Sequence, residues 1–131
     1  MPGDPGGPRP CRPRLVVVED SYPVAEGLRY LLEALGCDVV GMAGNVPNAL
    51  ELVSSGGYDL VLLDIDLRGE HAAPVAEAVH RQGKPLIFLS GFGEDEVLPP
   101  HLRLLPRLEK PADRDQLLAA LERALGVSPT G

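Results

Sequence analysis

The chain has 131 residues and a formal net charge of -7, with 44% hydrophobic but only 4% aromatic residues and no Trp. That length suits one domain with a core of Leu, Val and Ala, and the acidic balance argues against a nucleic acid as partner, because binding a polyanion relies on clustered Lys and Arg; a divalent cation or a basic protein surface fits better. No run has the length of a membrane span or the apolar core of a signal peptide, and Cys11 and Cys37 lack the spacing of a zinc site, so free thiols in the cytoplasm are expected.

Residues 1–14 are dominated by Pro, Gly and Arg, which neither pack nor pair, and are expected to form a disordered leader before a domain over 15–126 and a short tail over 127–131. Leu15-Val16-Val17-Val18 reads as a buried strand that ends in Glu19-Asp20. Ser21 then caps a helix with Pro23 in its first turn, Leu28, Leu31, Leu32 and Leu35 on one face, and Gly36 as its stop. A shorter strand over Asp38 to Met42 leads through a turn to a helix from about Pro47 to Ser54, which turns Val46, Leu50 and Val53 inward and ends at Gly56-Gly57.

Leu60-Val61-Leu62-Leu63 reads as a strand covered on both faces that delivers Asp64 at its carboxyl end. Leu67 to His71 reads as a polar loop, Ala72 to Gln82 as a third helix, and Pro85 to Leu89 as another buried strand ending in Ser90-Gly91. Glu94-Asp95-Glu96 can open a helix, but Pro99-Pro100 end it almost at once, so the fourth helix is expected to be weak or distorted. Arg107 to Lys110 is a strand poor in strand formers, and Pro111 follows. Asp113 and Gln116 then form a capping box for a last helix that carries Leu117, Leu118, Leu121, Ala124 and Leu125 and stops at Gly126. Five strands alternating with about five helices predict an α/β fold, a doubly wound parallel sheet with right-handed crossovers.

Four strand ends carry chemistry: Glu19-Asp20, Asp64, Ser90 and Lys110. In open α/β sheets ligands bind outside the carboxyl ends of the strands. Converging carboxylates repel one another unless a cation joins them, and Mg²⁺ suits one or two carboxylates, a carbonyl and several waters while leaving room for phosphate oxygens. Lys110 offers a point charge for a phosphoryl oxygen and Ser90 a short hydroxyl donor. Asp64, ionised, could itself attack phosphorus. His71, His80 and His101 have no ligand-like spacing and read as surface residues.

In these residues the chain resembles the receiver domain of two-component response regulators, the CheY-like fold, over about Leu15 to Leu125. The resemblance rests on Val18-Glu19-Asp20-Ser21, Leu62-Leu63-Asp64-Ile65-Asp66, Leu89-Ser90-Gly91 and Glu109-Lys110-Pro111, in that order. It implies a flavodoxin-like strand order 2-1-3-4-5 and a phosphoacceptor rather than a turnover enzyme. Asp64 would receive phosphate from a phosphohistidine on a sensor histidine kinase or histidine phosphotransfer protein. Asp20, Asp64 and the backbone carbonyl of Asp66 would bind Mg²⁺, with Glu19 helping through water, and Ser90 and Lys110 would hold the phosphoryl group. A cis Lys110-Pro111 bond is also implied. The chain departs from the family at Arg107, where an aromatic residue that rotates on phosphorylation normally stands. Phe88-Leu89-Ser90-Gly91-Phe92-Gly93 with Leu98-Pro99-Pro100 is similar to the single-domain FATGUY-type regulators of alphaproteobacteria, which lack that aromatic and would signal by protein contact or as a phosphate sink.

Other readings of the same residues are a receiver-like binding module that acts without phosphorylation and a metal-dependent phosphotransferase or phosphatase built on Asp64-Ile65-Asp66. In haloacid-dehalogenase-type phosphatases the acidic pair lies downstream of that motif, whereas Glu19-Asp20 lie upstream. The Toprim domain of topoisomerases and primases would use Glu19, Asp64 and Asp66, but the net charge and Lys110-Pro111 count against it.

Overall fold

Aliphatic runs become the strands and leucine-striped segments the helices in the computed structural model, which describes residues 12–67, 70–91, 100–102 and 105–126. The elements are β1 (Arg14–Val18), α1 (Tyr22–Ala34), β2 (Asp38–Ala43), α2 (Val46–Ser55), β3 (Leu60–Asp64), β4 (Asp66–Leu67), β5 (Glu70–His71), α3 (Ala73–Arg81), β6 (Leu86–Ser90), β7 (Arg107–Glu109) and α4 (Arg114–Leu125). Five strands pair in parallel in the order β2-β1-β3-β6-β7, which is the expected 2-1-3-4-5 order once the short β4–β5 hairpin is set aside.

Alternation along the strands builds two cores, because successive side chains of a strand point to opposite faces. Val16, Val18, Val61, Leu63 and Phe88 face α2 and α3. Leu15, Val17, Leu60, Leu62, Ile87 and Leu89 face Leu28 and Leu32 of α1 and Leu117 and Leu121 of α4. Every residue of β3 is buried, so it is the spine that holds Asp64 in place. At the amino ends of the strands, Lys84 Nζ donates to the carbonyls of Gly56 (2.8 Å) and Tyr58 (2.6 Å). The Tyr58 hydroxyl bonds the Gln82 side chain, and Gln82 Nε2 reaches the Val53 carbonyl at 2.9 Å. These bonds tie the ends of α2 and α3 to the start of β3.

Two expectations change. The polar loop over 67–71 is in part an antiparallel pair, Asp66 opposite His71 and Leu67 opposite Glu70, with Leu67 buried. Ser21 stands at the N-cap of α1, but its side chain makes no capping bond; its own N–H donates to Glu19 Oε2 at 3.0 Å. Four α-helices occur among the described residues, and the described part of the β6–β7 connection contains one 3-10 turn, Pro100–Leu102. Glu94 to Glu96 and Pro99, which bear on the expected fourth helix, lie outside the described residues, as do residues 1–11 of the expected leader, the tail from 127 on, Cys11 and Phe92. Arg14 already belongs to β1 and pairs with Asp59 at 3.2 Å, and Arg12 pairs with Asp38 at 2.7 Å. No helix among the described residues is long and apolar enough to cross a membrane.

Candidate phosphoacceptor site

The parallel register sets the four strand ends side by side. Val18 lies opposite Leu63, Asp64 opposite Leu89, and Ser90 opposite Glu109. The chain emerging from β1 continues the ladder for one residue, since Glu19 N–H donates to the Ala43 carbonyl at 2.9 Å. Lys110 N–H donates to the Ser90 carbonyl at 2.8 Å, so the residue after β7 is held against the end of β6. The Lys110-Pro111 bond is cis.

Asp64 is 1% exposed and both of its oxygens are engaged. Oδ1 accepts the Asp66 N–H at 3.1 Å, and Oδ2 accepts from Lys110 Nζ at 2.6 Å. The same ammonium lies 3.1 Å from Glu19 Oε1, an ion pair without the alignment of a hydrogen bond. Carboxylate oxygens of Glu19, Asp20 and Asp64 all lie within 4.8 Å of one another. Ser90 is 1% exposed, and its hydroxyl has no partner among the described residues. Asp66 is exposed on β4. The sequence-selected residues Glu19, Asp20, Asp64, Ser90 and Lys110 therefore meet at one end of the sheet, with Asp66 bonded to the central aspartate.

The electrostatics follow from crowding. Burial pushes the Glu19 carboxyl up to about 7; the Ser21 N–H opposes this, the negative charge of Asp64 and the Asp20 side chain add to it, and Lys110 opposes it again. For Lys110, burial alone would lower the ammonium's pKa, but Asp64 and Glu19 overcome that and raise it. One cation thus serves two buried anions, with a third acid beside them. An all-oxygen donor set with excess negative charge fits Mg²⁺. Asp20, Asp64 and the Asp66 carbonyl are the candidate ligands, and Glu19 sits close enough to contribute. The partnerless Ser90 hydroxyl fits an incoming oxygen-rich group.

Two features were not read from the sequence. One is the 66–71 hairpin. The other is an apolar groove of about 310 Å³ beside Lys110, lined by Val24, Gly27, Leu31, Leu89, Pro111 and Ala112. Its only prior signal is Gly27, a mid-helix glycine whose absent Cβ would meet nothing within 4 Å. Among the histidines, His71 and His80 are exposed and His101 lies 3.0 Å from Glu77, so none reaches the acidic cluster as a ligand. Arg107 is exposed on edge strand β7.

Comparison with known proteins points to one family. The family model for the response regulator receiver domain matches residues 15–122. The chain is 37% identical to the transcriptional regulatory protein DltR of Streptococcus agalactiae over 82% of its length and 50% of the relative's, so it spans about half of that curated relative. Its fold is similar to the solution structure of SdrG from Sphingomonas melonis Fr1, with a TM-score of 0.77 and 37% identity over 88% of this chain and 97% of that one. It is also similar to the response regulator PhyR from Brucella abortus, with a TM-score of 0.75 and 30% identity over 90% of this chain and 49% of that one.

Proposed function

The chain belongs to the response regulator receiver domain family, whose members are signalling phosphoacceptors rather than turnover enzymes, and on that premise we propose that Asp64 accepts a phosphoryl group from a phosphohistidine with Mg²⁺ bound. The observation that carries this reading is the meeting of Asp64, Lys110, Glu19 and Asp20 at one strand edge, with Asp64 Oδ2 2.6 Å from the ammonium. The Asp64 carboxylate attacks phosphorus, the bond from the donor's histidine nitrogen to phosphorus breaks, and an acyl phosphate forms on Asp64. Mg²⁺, when bound, supplies positive charge against the acids and the phosphoryl oxygens. Lys110 passes from Asp64 to a phosphoryl oxygen, and the Ser90 hydroxyl donates to another. Asp66 N–H keeps the nucleophile oriented through Oδ1.

The donor is a sensor histidine kinase or histidine phosphotransfer protein in the cytoplasm, a setting that suits the free, buried Cys37 thiol. The apolar groove supports a protein donor, because Lys110, which bonds Asp64, also lines it. The signal leaves by protein contact or by competition for phosphate, as a population shift between the two states. The test is incubation with acetyl phosphate and Mg²⁺ followed by intact mass. One added phosphoryl group is expected on the wild type and none on Asp64→Asn; an addition that persists in the Asn variant refutes the assignment. Arg107 at the usual aromatic position favours one second reading, a binding module that acts unphosphorylated, and an unmodified wild-type mass would support it. Turnover of a phosphomonoester would point to a phosphatase.

A further inference from the structure

An edge strand presents unpaired N–H and C=O groups on which another chain can add a strand, and exposed charges, short length or a bulge discourage this. Among the described residues the edges of the sheet are β7 and β2. β7 is three residues long and exposes Arg107 and Glu109. β2 is six residues long, and after Asp38 it reads Val39-Val40-Gly41-Met42-Ala43, without a charge. The Asp38 carboxylate is itself matched by Arg12 at 2.7 Å. What β2 has instead is an irregular register. Leu15 lies opposite Val39 and Val16 opposite Gly41, so Val40 is matched to no residue of β1. Such an extra residue is a β-bulge, which bends the strand, increases its twist and interrupts its ladder. The side chains agree. Val39 and Met42, three apart, would face opposite sides of a regular strand, yet both pack on the α1 side. Gly41 faces α2, where an added Cβ would meet Leu52 Cδ2 at 3.0 Å. Val40 belongs to neither core and is 49% exposed. The other residues of β2 thus keep the partners and faces of a regular strand one residue shorter.

We propose that the Val40 bulge keeps the β2 edge from pairing with the β2 edge of a second copy of this chain. Without Val40 the strand is a regular, almost uncharged edge, and two such edges laid antiparallel about a two-fold axis form an isologous contact. This role is independent of the phosphoryl chemistry, but it bears on the same end of the molecule. The Ala43 carbonyl accepts the Glu19 N–H at 2.9 Å, and Met42, Ala43 and Gly44 line a cavity of about 210 Å³ with Glu19 and Asp20. A strand added to β2 would run past that cavity, so the bulge leaves this flank of the acidic cluster open to solvent.

Sedimentation velocity at rising protein concentration, on the full chain without metal or phosphodonor, decides the matter. Wild type and Val40→Ala, which keeps the extra residue, are expected to stay monomeric. Deletion of Val40 is expected to shift the protein to dimers and larger assemblies, with amide exchange slowed along β2 as they form. A deletion variant that stays monomeric overturns the proposal, and so does one that assembles with β2 exchange unchanged. Assembly of Val40→Ala like that of the deletion also overturns it, since the side chain rather than the bulge would then be responsible; wild type that itself pairs through β2 does the same. Should the deletion of Val40 fail to fold, deletion of Gly41 combined with Leu52→Ala shortens the strand equally and gives Val40 the space that Leu52 fills. If neither shortened chain folds, the extra residue serves the fold itself and the proposal falls.

Discussion

Glu19 is the residue on which the resting site turns. Its carboxyl, raised from 4.5 to about 7, binds a proton more tightly folded than unfolded. Below pH 4.5 both states are protonated and the contribution to stability is fully present; between pH 4.5 and about 7 the unfolded chain ionises first and the contribution is lost as pH rises. Metal-free wild type should therefore lose stability relative to Glu19→Gln across that window, by an amount on the order of 3 kcal/mol. Thermal melts of both proteins in EDTA at pH 4.5 and 7.5 measure it, and parallel pH profiles would contradict the assignment. The identity of Glu19 as a site residue was legible because it ends an aliphatic run. Its direct pairing with Lys110 and its bond to the Ser21 N–H were not, because two acids in succession do not reveal which turns inward. Asp66 was legible only through family resemblance, since a backbone carbonyl leaves no mark in a sequence.

Elements were legible in proportion to how much apolar surface they bury. β1, β3 and β6 are five-residue strands with four buried apolar residues each, and their alternation with helices predicted a parallel sheet. β7 is a three-residue edge strand with Arg107 and Glu109 exposed, so it carries little periodic signal. β4 and β5 are two residues each, below the length at which alternation can be seen. The Asn45 cap of α2, whose side chain accepts the Asn48 N–H at 2.9 Å, read only as a turn. The capping box of α4 was visible as Asp113 and Gln116 and is present in full. Because α4 begins four residues after Lys110, its first turn steadies the segment that presents the ammonium. Asp113→Ala is expected to lower stability by about 1 kcal/mol in urea denaturation. No change in midpoint would mean that the α4 N-terminus frays without consequence.

Across the whole molecule, the sheet brings Asp20, Asp64 and Lys110 together from positions far apart in the chain, and a cation bound by Asp20 and Asp64 would link the ends of β1 and β3. Binding to the folded state alone raises stability by about 2.7 kcal/mol when the free ion is at 100 times its dissociation constant. Mg²⁺ should accordingly raise the melting temperature of the wild type, EDTA should reverse the gain, and Asp20→Asn should largely abolish it; an equal gain in Asp20→Asn would place the ion elsewhere. The Ser90 hydroxyl adds a different kind of asymmetry. It is 1% exposed and has no partner among the described residues, so it is free to donate to an arriving group. Under the proposed reaction, the arriving phosphoryl oxygen accepts from that hydroxyl, so the residue at the end of β6 would register the message directly, through a bond that its burial shields from competing solvent.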